Sequence, residues 1–506
     1  MGAVVLPGKY VTLKSVLFGL LGGLVVCFVA YPNDYMVRSN LFVGTNLPFG
    51  IFCLLFLFNL LLRPFQEHLP RWLRFSNGEL IVSFLIMLAA CSLPTSGLMR
   101  YFPQIVTCPY DLYSTRQNWQ SHEVLQYAPD SMVPEGWYIE GESEELDASM
   151  TPAERRAKLD RAEYVNKGFR NGITRGTRFL HFWPSDESGE VIPLASWGHP
   201  LLFWGPLIVL FLLFVTMMMV IVHPQWSKNE LLPYPIAEFT SEMLRVKPGS
   251  RFPDMWKERR FWLAFGLVAA IHLVRVVYVW YPETMINIQM EWRLSPVVAR
   301  NFPDFYFHSM RPWTVFNNRL YLGVVAFAFF IPTDVSFSLG LTSIGLAVFS
   351  YVLWTFGVSY TTYHHDTSLA GAYVGMFLMI LYLGRQYYWN VLKAAFGLQA
   401  PHVDRSVTKA ARVFLLSFAG MVALCCGAGL NLWLSLLFVL SLAVLYLVLA
   451  RVSAESGSPL VQANWKPADI FLKLFGATAL GPYSLAILGL LTTALGSDPR
   501  EALSCF

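Results

Sequence analysis

The sequence predicts an all-α polytopic membrane protein of roughly eleven transmembrane helices, some of them broken, with one sizeable extracytoplasmic insertion. Three observations predict it. Of the 506 residues, 55% are hydrophobic and only 14% charged, at a mean hydropathy of +0.46. A soluble domain carries about 25% charged residues, so lipid must be the solvent for most of this surface. The apolar residues are also gathered into runs long enough to span. Finally, an aromatic content of 15%, including 16 Trp, suits a chain with two bilayer interfaces to anchor.

A span needs about 20 mostly apolar residues. This places spans at 13–31, 43–62, 79–99, 199–222, 261–281, 319–339, 341–361, 368–384, 411–429, 431–450 and 468–495. The stretch 386–398 is shorter and amphipathic and reads as an interfacial helix. Lys9 and Lys14 precede the first run with no small-residue cleavage site behind it, so that run is read as a span and not as a signal peptide. The organisation is then a membrane domain over 1–100, an insertion over 101–197 and a second membrane domain over 198–506. Seven cysteines contain no C-x-x-C pair and mostly lie in apolar runs. Only Cys108 falls in a polar region, and no disulfide framework is expected.

Basic residues set the orientation. Lys9 and Lys14, Arg63, Arg71 and Arg74, the cluster Lys228, Arg245, Lys247, Arg251, Lys257, Arg259 and Arg260, and the group Arg385, Lys393, Arg405, Lys409 and Arg412 share one side if the spans alternate. The N-terminus is thereby expected in the cytoplasm and residues 101–197 outside. That insertion holds fifteen Asp/Glu and nine Lys/Arg, a balance of −6 that leaves the remainder at +10 against the chain's +4. A helix is expected from Thr151, with Pro152 in its first turn. The segment reads as an acidic solvated cap, or as a lid or a docking surface for a partner protein. A second outer loop, 282–318, is rich in aromatics and reads as an interfacial belt.

Backbone breaks helix inside a bilayer only where protein or a watery cavity satisfies it, so broken spans point to a transport site. Three candidates occur: Ser92–Gly97, Ile331–Ser338 and Gly481–Ser484. The first two share Leu/Ile-Pro-Thr followed by small polar residues, as expected of two repeated halves. Pro94, Thr95 and Ser96 with Pro332, Thr333, Ser336 and Ser338 are the candidate polar lining for a small-molecule substrate. Asp334 is either a coupling-ion carboxylate or a helix cap, since an unpaired carboxylate in a span costs about 2.5 to 3.5 kcal/mol. His272 and Arg275, three apart on one helix face, either hold a substrate carboxylate or reach the interface. His364-His365-Asp366 reads as a solvated turn. Two polar stretches hug the membrane, Glu230–Leu244 and Ala454–Trp465. Nucleotide loop, metalloprotease and nucleophile-elbow motifs are absent, so no enzyme activity, cofactor, metal site or nucleic-acid partner is expected, and a transporter would run on an ion gradient or another subunit.

Leu232-Pro-Tyr-Pro-Ile-Ala-Glu-Phe resembles the loop after a span in the oligopeptide transporter superfamily, and Thr12-Leu-Lys-Ser-Val-Leu-Phe-Gly-Leu-Leu-Gly-Gly resembles its opening span. Phe330–Leu339 and Ala454-Glu-Ser-Gly-Ser-Pro look like motifs of a distantly related bacterial branch. The likeness covers about half of the chain in patches. It implies a proton-coupled importer of peptides or metal chelates, built from repeated halves, in a bacterial plasma membrane. The sequence departs from that superfamily in its larger outer insertion and in having fewer spans. The expected function is therefore secondary transport with a site between the third and sixth spans. Its rivals are a non-transporting membrane subunit that docks a partner through 101–197, and, last, a membrane enzyme using His122, His181 or Asp186.

Overall fold

The computed structural model describes residues 11–31, 33, 49–62, 65, 70, 74–91, 98–121, 124–134, 197–245, 253–401, 403–457 and 465–496. Among the described residues the fold is all-helical apart from one two-stranded ribbon. Seven helices among the described residues are long and apolar enough to cross a bilayer, beginning with α1 (Leu13–Tyr31). Three shorter apolar stretches, Gly50–Leu61, Asn77–Ala90 and Pro482–Leu495, accompany them. The membrane-helical class stands, while the full-length spans described number seven and not eleven.

The chain begins as a compact three-helix unit. Helix α2 (Phe49–Leu57) widens into a π turn at Phe58–Leu62, and α3 (Asn77–Ala90) opens on a capping box between Ser76 and Glu79. Helix α1 meets α3 through glycines: a Cβ at Gly19 would sit 2.8 Å from Ile86 Cβ, and one at Gly23 2.9 Å from Ala90 Cβ. Small residues of this kind let helix backbones approach closely in lipid. The seam is closed by Ser83 Oγ donating to Ser15 O at 2.8 Å, and at its end Glu79 accepts from Thr12 Oγ1 at 2.8 Å and pairs with Lys14 at 3.3 Å.

Helix α4 (Leu98–Thr115) lies where the sequence predicts the start of a solvated insertion. Phe102, Ile105 and Val106 are instead buried in a core with Trp204, Leu207, Met421, Phe438 and Leu491, and Cys108 is buried as well. Trp204 Nε1 donates to Met132 O at 3.0 Å, tying residue 132 to the same core. An amphipathic helix carries its apolar residues on one face only, so α4 lacks the continuous run that marks a span and still packs as core. The helix expected from Thr151 and the acidic blocks lie outside the described residues.

Helices α5 (Gly198–Pro224), α6 (Pro235–Leu244) and α7 (Arg259–Trp280) follow. Beyond them the outer loop is folded: β1 (Glu291–Arg293) pairs antiparallel with β2 (Asn317–Arg319), and Glu291 receives Arg319 at 3.2 Å and Arg293 at 3.5 Å. Two spans were expected over 319–339 and 341–361. The chain forms a short α8 (Leu322–Ala328), turns at 329–332, and then runs without interruption through α9 (Thr333–Thr355). The reason is proline: Pro332 is extended at φ −54°, ψ 141° and starts the helix, whereas Gly340 lies in open space and breaks nothing. Phe330 meets Phe239 of α6 at 5.8 Å, while Tyr351 at the far end of α9 meets Phe305 at 5.2 Å. The turn between α8 and α9 therefore lies beside α6.

Helices α10 (Thr362–Leu383), α11 (Arg385–Ala395), α12 (Arg405–Gly427) and α13 (Leu432–Ser456) complete the bundle. The last region is a broken hairpin, α14 (Pro467–Phe475) and α15 (Pro482–Leu491), with a single helical turn between Gly476 (φ +78°) and Gly481 (φ +74°). Only glycine takes such angles without strain. Ala468 N donates to Thr492 Oγ1 at 3.2 Å, and Tyr446, halfway along α13, donates to Leu495 O at 2.7 Å. The hairpin therefore starts and ends against the middle of α13, and its breaks lie well away from that point.

Candidate functional site: two charge clusters at opposite ends of the bundle

Of the residues singled out from the sequence, those described fall into two groups, one at the start of α9 and one on α7. Pro94, Thr95 and Ser96 lie outside the described residues. Pro332, Thr333 and Asp334 are exposed at the start of α9, with Asp334 in its first turn, where a carboxylate complements the helix dipole. Ser338 turns its hydroxyl back to Asp334 O at 2.8 Å, and Ser336 is half-buried with its N–H on Pro332 O at 3.0 Å. On α7, His272 is exposed and Arg275 donates to Met290 Sδ at 3.2 Å. Among the described residues no hydrogen bond or ion pair joins these two groups.

Two other stretches do converge. The polar segment after α5 and the one ending α13 meet, and the hinge is the Leu231–Pro235 elbow. Tyr234 N donates to Ala454 O at 3.1 Å, and Leu232 N returns to Trp226 O at 3.1 Å. The elbow is strained: Leu231 (φ 53°) and Tyr234 (φ 44°) both adopt the left-handed region without being glycine. Each such residue costs about 1 to 3 kcal/mol and persists only where its surroundings enforce it. Prolines 233 and 235 on either side of Tyr234 limit its escape.

Beneath the elbow lies Arg451, only 7% exposed near the end of a mostly apolar span. Its Nε donates to Glu455 Oε1 at 2.5 Å, one helical turn along, and a terminal nitrogen donates to Glu230 Oε2 of the elbow. The guanidinium also lies 5.3 Å from the ring centre of Trp226. Gln225 Nε2 holds the second oxygen of Glu230 at 3.2 Å and is itself held by Asn229 at 2.6 Å. Tyr388 of α11 closes the apolar side; burial and the Glu230 carboxylate push its phenol well above the ordinary tyrosine range. Burial likewise raises Tyr234. One arginine faces two carboxylates here, so the triad carries a net −1 in a largely dehydrated place. The sequence signal for Arg451 was an Arg/Glu pair spaced i, i+4, Arg451 and Glu455, at the end of a 25-residue, mostly apolar helix.

A second cluster lies at the other end of α10. Lys473 of α14 donates to Thr367 Oγ1 at 2.9 Å and to Tyr363 O at 3.4 Å, and sits 3.7 Å over the Tyr363 ring. Asp366 is next to Thr367, with one carboxylate oxygen buried and no hydrogen-bond partner. Arg311, His365 and Asp469 complete its charged surroundings. Arg311 is the third non-glycine residue at positive φ, 49°. The expected solvated turn at 364–366 is instead the start of a helix: Thr361 caps α10, and its N–H donates to His364 Nδ1 at 3.2 Å.

Helix lengths, apolar faces and buried charge at helix ends define a polytopic α-helical membrane protein. The chain belongs to a family of unknown function, DUF6785, which matches it over residues 7–505. Neither a curated protein nor a solved structure matches it.

Proposed function

We propose that the chain is a secondary-active transporter, similar to proton-coupled importers of peptides or metal chelates. In this reading it sits in a bacterial plasma membrane with its N-terminus in the cytoplasm and 101–197 outside. One observation carries the reading: the buried Arg451, shared by Glu230 and Glu455 where a strained elbow crosses the end of a span. A buried charge within a membrane helix is expensive and is read first as part of an ion or substrate pathway. The basic loops put this cluster on the cytoplasmic side, where its ion pairs form a closed inner seal. The Asp366 cluster, at the opposite end of α10, holds a sealed carboxylate oxygen without a hydrogen-bond partner among the described residues, an arrangement suited to alternating access.

The test is uptake of a peptide and chelate panel into proteoliposomes, with and without an inward pH gradient. Accumulation that needs the gradient, and is lost in Glu230→Gln, is expected; no uptake of any panel member under either condition refutes the reading. Topology is checked by reporters, Glu144 outside and Lys247 inside; both on one side would overturn the orientation. A second reading rests on α7, which has no buried residue and exposes Leu263, Leu267, Leu273 and Val276. Such a face suits a non-transporting subunit that docks a partner within the bilayer. A partner that co-purifies in stable ratio from native membranes, with no uptake by the isolated chain, would favour it.

A further inference from the structure

Asp366 is the fifth residue of α10, about 6 Å along the helix from its start at 1.5 Å per residue. One of its oxygens is sealed from solvent and accepts nothing. Around it are Arg311 from the loop packed on the end of α9, His365 on its own helix, and Lys473 and Asp469 from α14. The loop is held firmly: Met310 N donates to Ser350 Oγ at 2.7 Å, and Phe305 packs on Tyr351. Two residues before Arg311, the Ser309 hydroxyl is also buried with no partner, in a residue 8% exposed. Lys473 rests on the adjoining helix face, on Thr367 Oγ1 and Tyr363 O, four residues apart, and so is held near Asp366 without bonding it. An ionised carboxylate with one oxygen sealed and undonated is costly, and protonation lowers that cost.

We propose that Asp366 is the proton-carrying group of the transport cycle and that Lys473 is its alternative partner. This rests on the transporter reading above and names the residue through which that transporter is driven. In the loaded state the carboxyl is neutral and Lys473 stays on Thr367 and Tyr363. On discharge the Asp366 O–H bond breaks and its proton passes to water. The resulting carboxylate captures the Lys473 ammonium, which keeps its three protons, and α14 is drawn onto α10. The ligand is a proton and not a metal ion. Hard cations require six or more oxygen ligands; no group of three or more His, Cys, Asp or Glu able to hold a metal occurs among the described residues, and Arg311 and Lys473 repel a second cation.

The experiment uses the full chain in detergent, followed by infrared difference spectra across a pH titration. A protonated-carboxyl band should titrate in the wild type and vanish in Asp366→Asn. In Lys473→Gln the same band should persist to a pH about one unit higher, since a nearby opposite charge favours ionisation. In proteoliposomes, Asp366→Asn should abolish gradient-driven accumulation and leave substrate exchange at zero gradient unchanged. An Asn variant with the band intact, or with full gradient-driven uptake, overturns the proposal. Should the Asn variant fail to fold, Asp366→Glu must keep a titrating band at a shifted frequency; an unshifted band also overturns it. A titrating Asp366 in a chain that moves no substrate would sink the transporter reading and leave the proton site standing.

Discussion

Replacing Arg451 by Met tests the buried triad most directly. Met fills the apolar part of the arginine stem and removes the charge. It leaves Glu230, with a side chain 15% exposed, and Glu455, 32% exposed, facing each other without a cation. Breaking a buried pair by deleting one member costs about 3 to 5 kcal/mol, because the remaining charge is uncompensated. Here two carboxylates remain, but the more exposed Glu455 recovers water, so a loss of about 3 kcal/mol is expected. Glu230→Gln should cost less, since Arg451 keeps Glu455 and the glutamine still bonds Gln225. Glu455→Gln, at a position near one-third exposure, should cost at most about 1 kcal/mol. The double variant Arg451→Met/Glu230→Gln removes both buried charges and should recover much of the single-variant loss. The assay is reversible unfolding in mixed micelles, with the four proteins forming a double-mutant cycle. Stability of Arg451→Met within about 0.5 kcal/mol of wild type, the range of an ordinary surface change, would refute the claim that this cluster is dry.

Three further outcomes follow from local geometry. Gly19→Val should force α1 off α3 and cost about 1 to 3 kcal/mol, since its Cβ alone would sit 2.8 Å from Ile86 Cβ; the melting temperature of the purified protein measures it. Trp204→Phe keeps the ring but loses the bond to Met132 O; a cost of about 1 kcal/mol and faster proteolysis near residue 132 are expected. The Tyr387 hydroxyl donates to Ile221 O at 2.9 Å, and burial pushes its phenol up to about 12. A raised folded value stabilises fully below the unfolded value of about 10 and is lost as pH rises to about 12. In a phenolate absorbance titration Tyr387→Phe should therefore remove a late-ionising component, and identical curves would contradict the burial.

The fold was legible wherever one kind of evidence sufficed. Apolar runs of spanning length located α1, α5, α7, α10, α12 and α13, and prolines and glycines located the breaks at Pro332 and Gly481. The split between the sixth and seventh expected spans failed because Gly340 interrupts an apolar run without interrupting a helix; in the absence of a competing partner, a glycine costs only about 1 kcal/mol. Helix α4 was missed because a one-sided apolar face does not raise a window average, yet that face is enough to fill the core against Trp204 and Phe438.

The site divides along the same line. Sequence alone determined that this is a membrane protein and that the polar stretches Glu230–Leu244 and Ala454–Trp465 are unusual; Arg451, just past the span expected at 431–450, was not singled out. Only the tertiary structure brought it forward and decided its partner. Glu230 and Arg451 are 221 residues apart, and no periodicity or propensity links positions at that separation. Their pairing comes from the packing of α5 against α13 and from the strained elbow that turns Glu230 inward. Asp366 follows the same logic. A carboxylate near a helix start looks solvated in one dimension, and one of its oxygens is sealed without a partner only in the folded arrangement, with α14 and the Arg311 loop nearby.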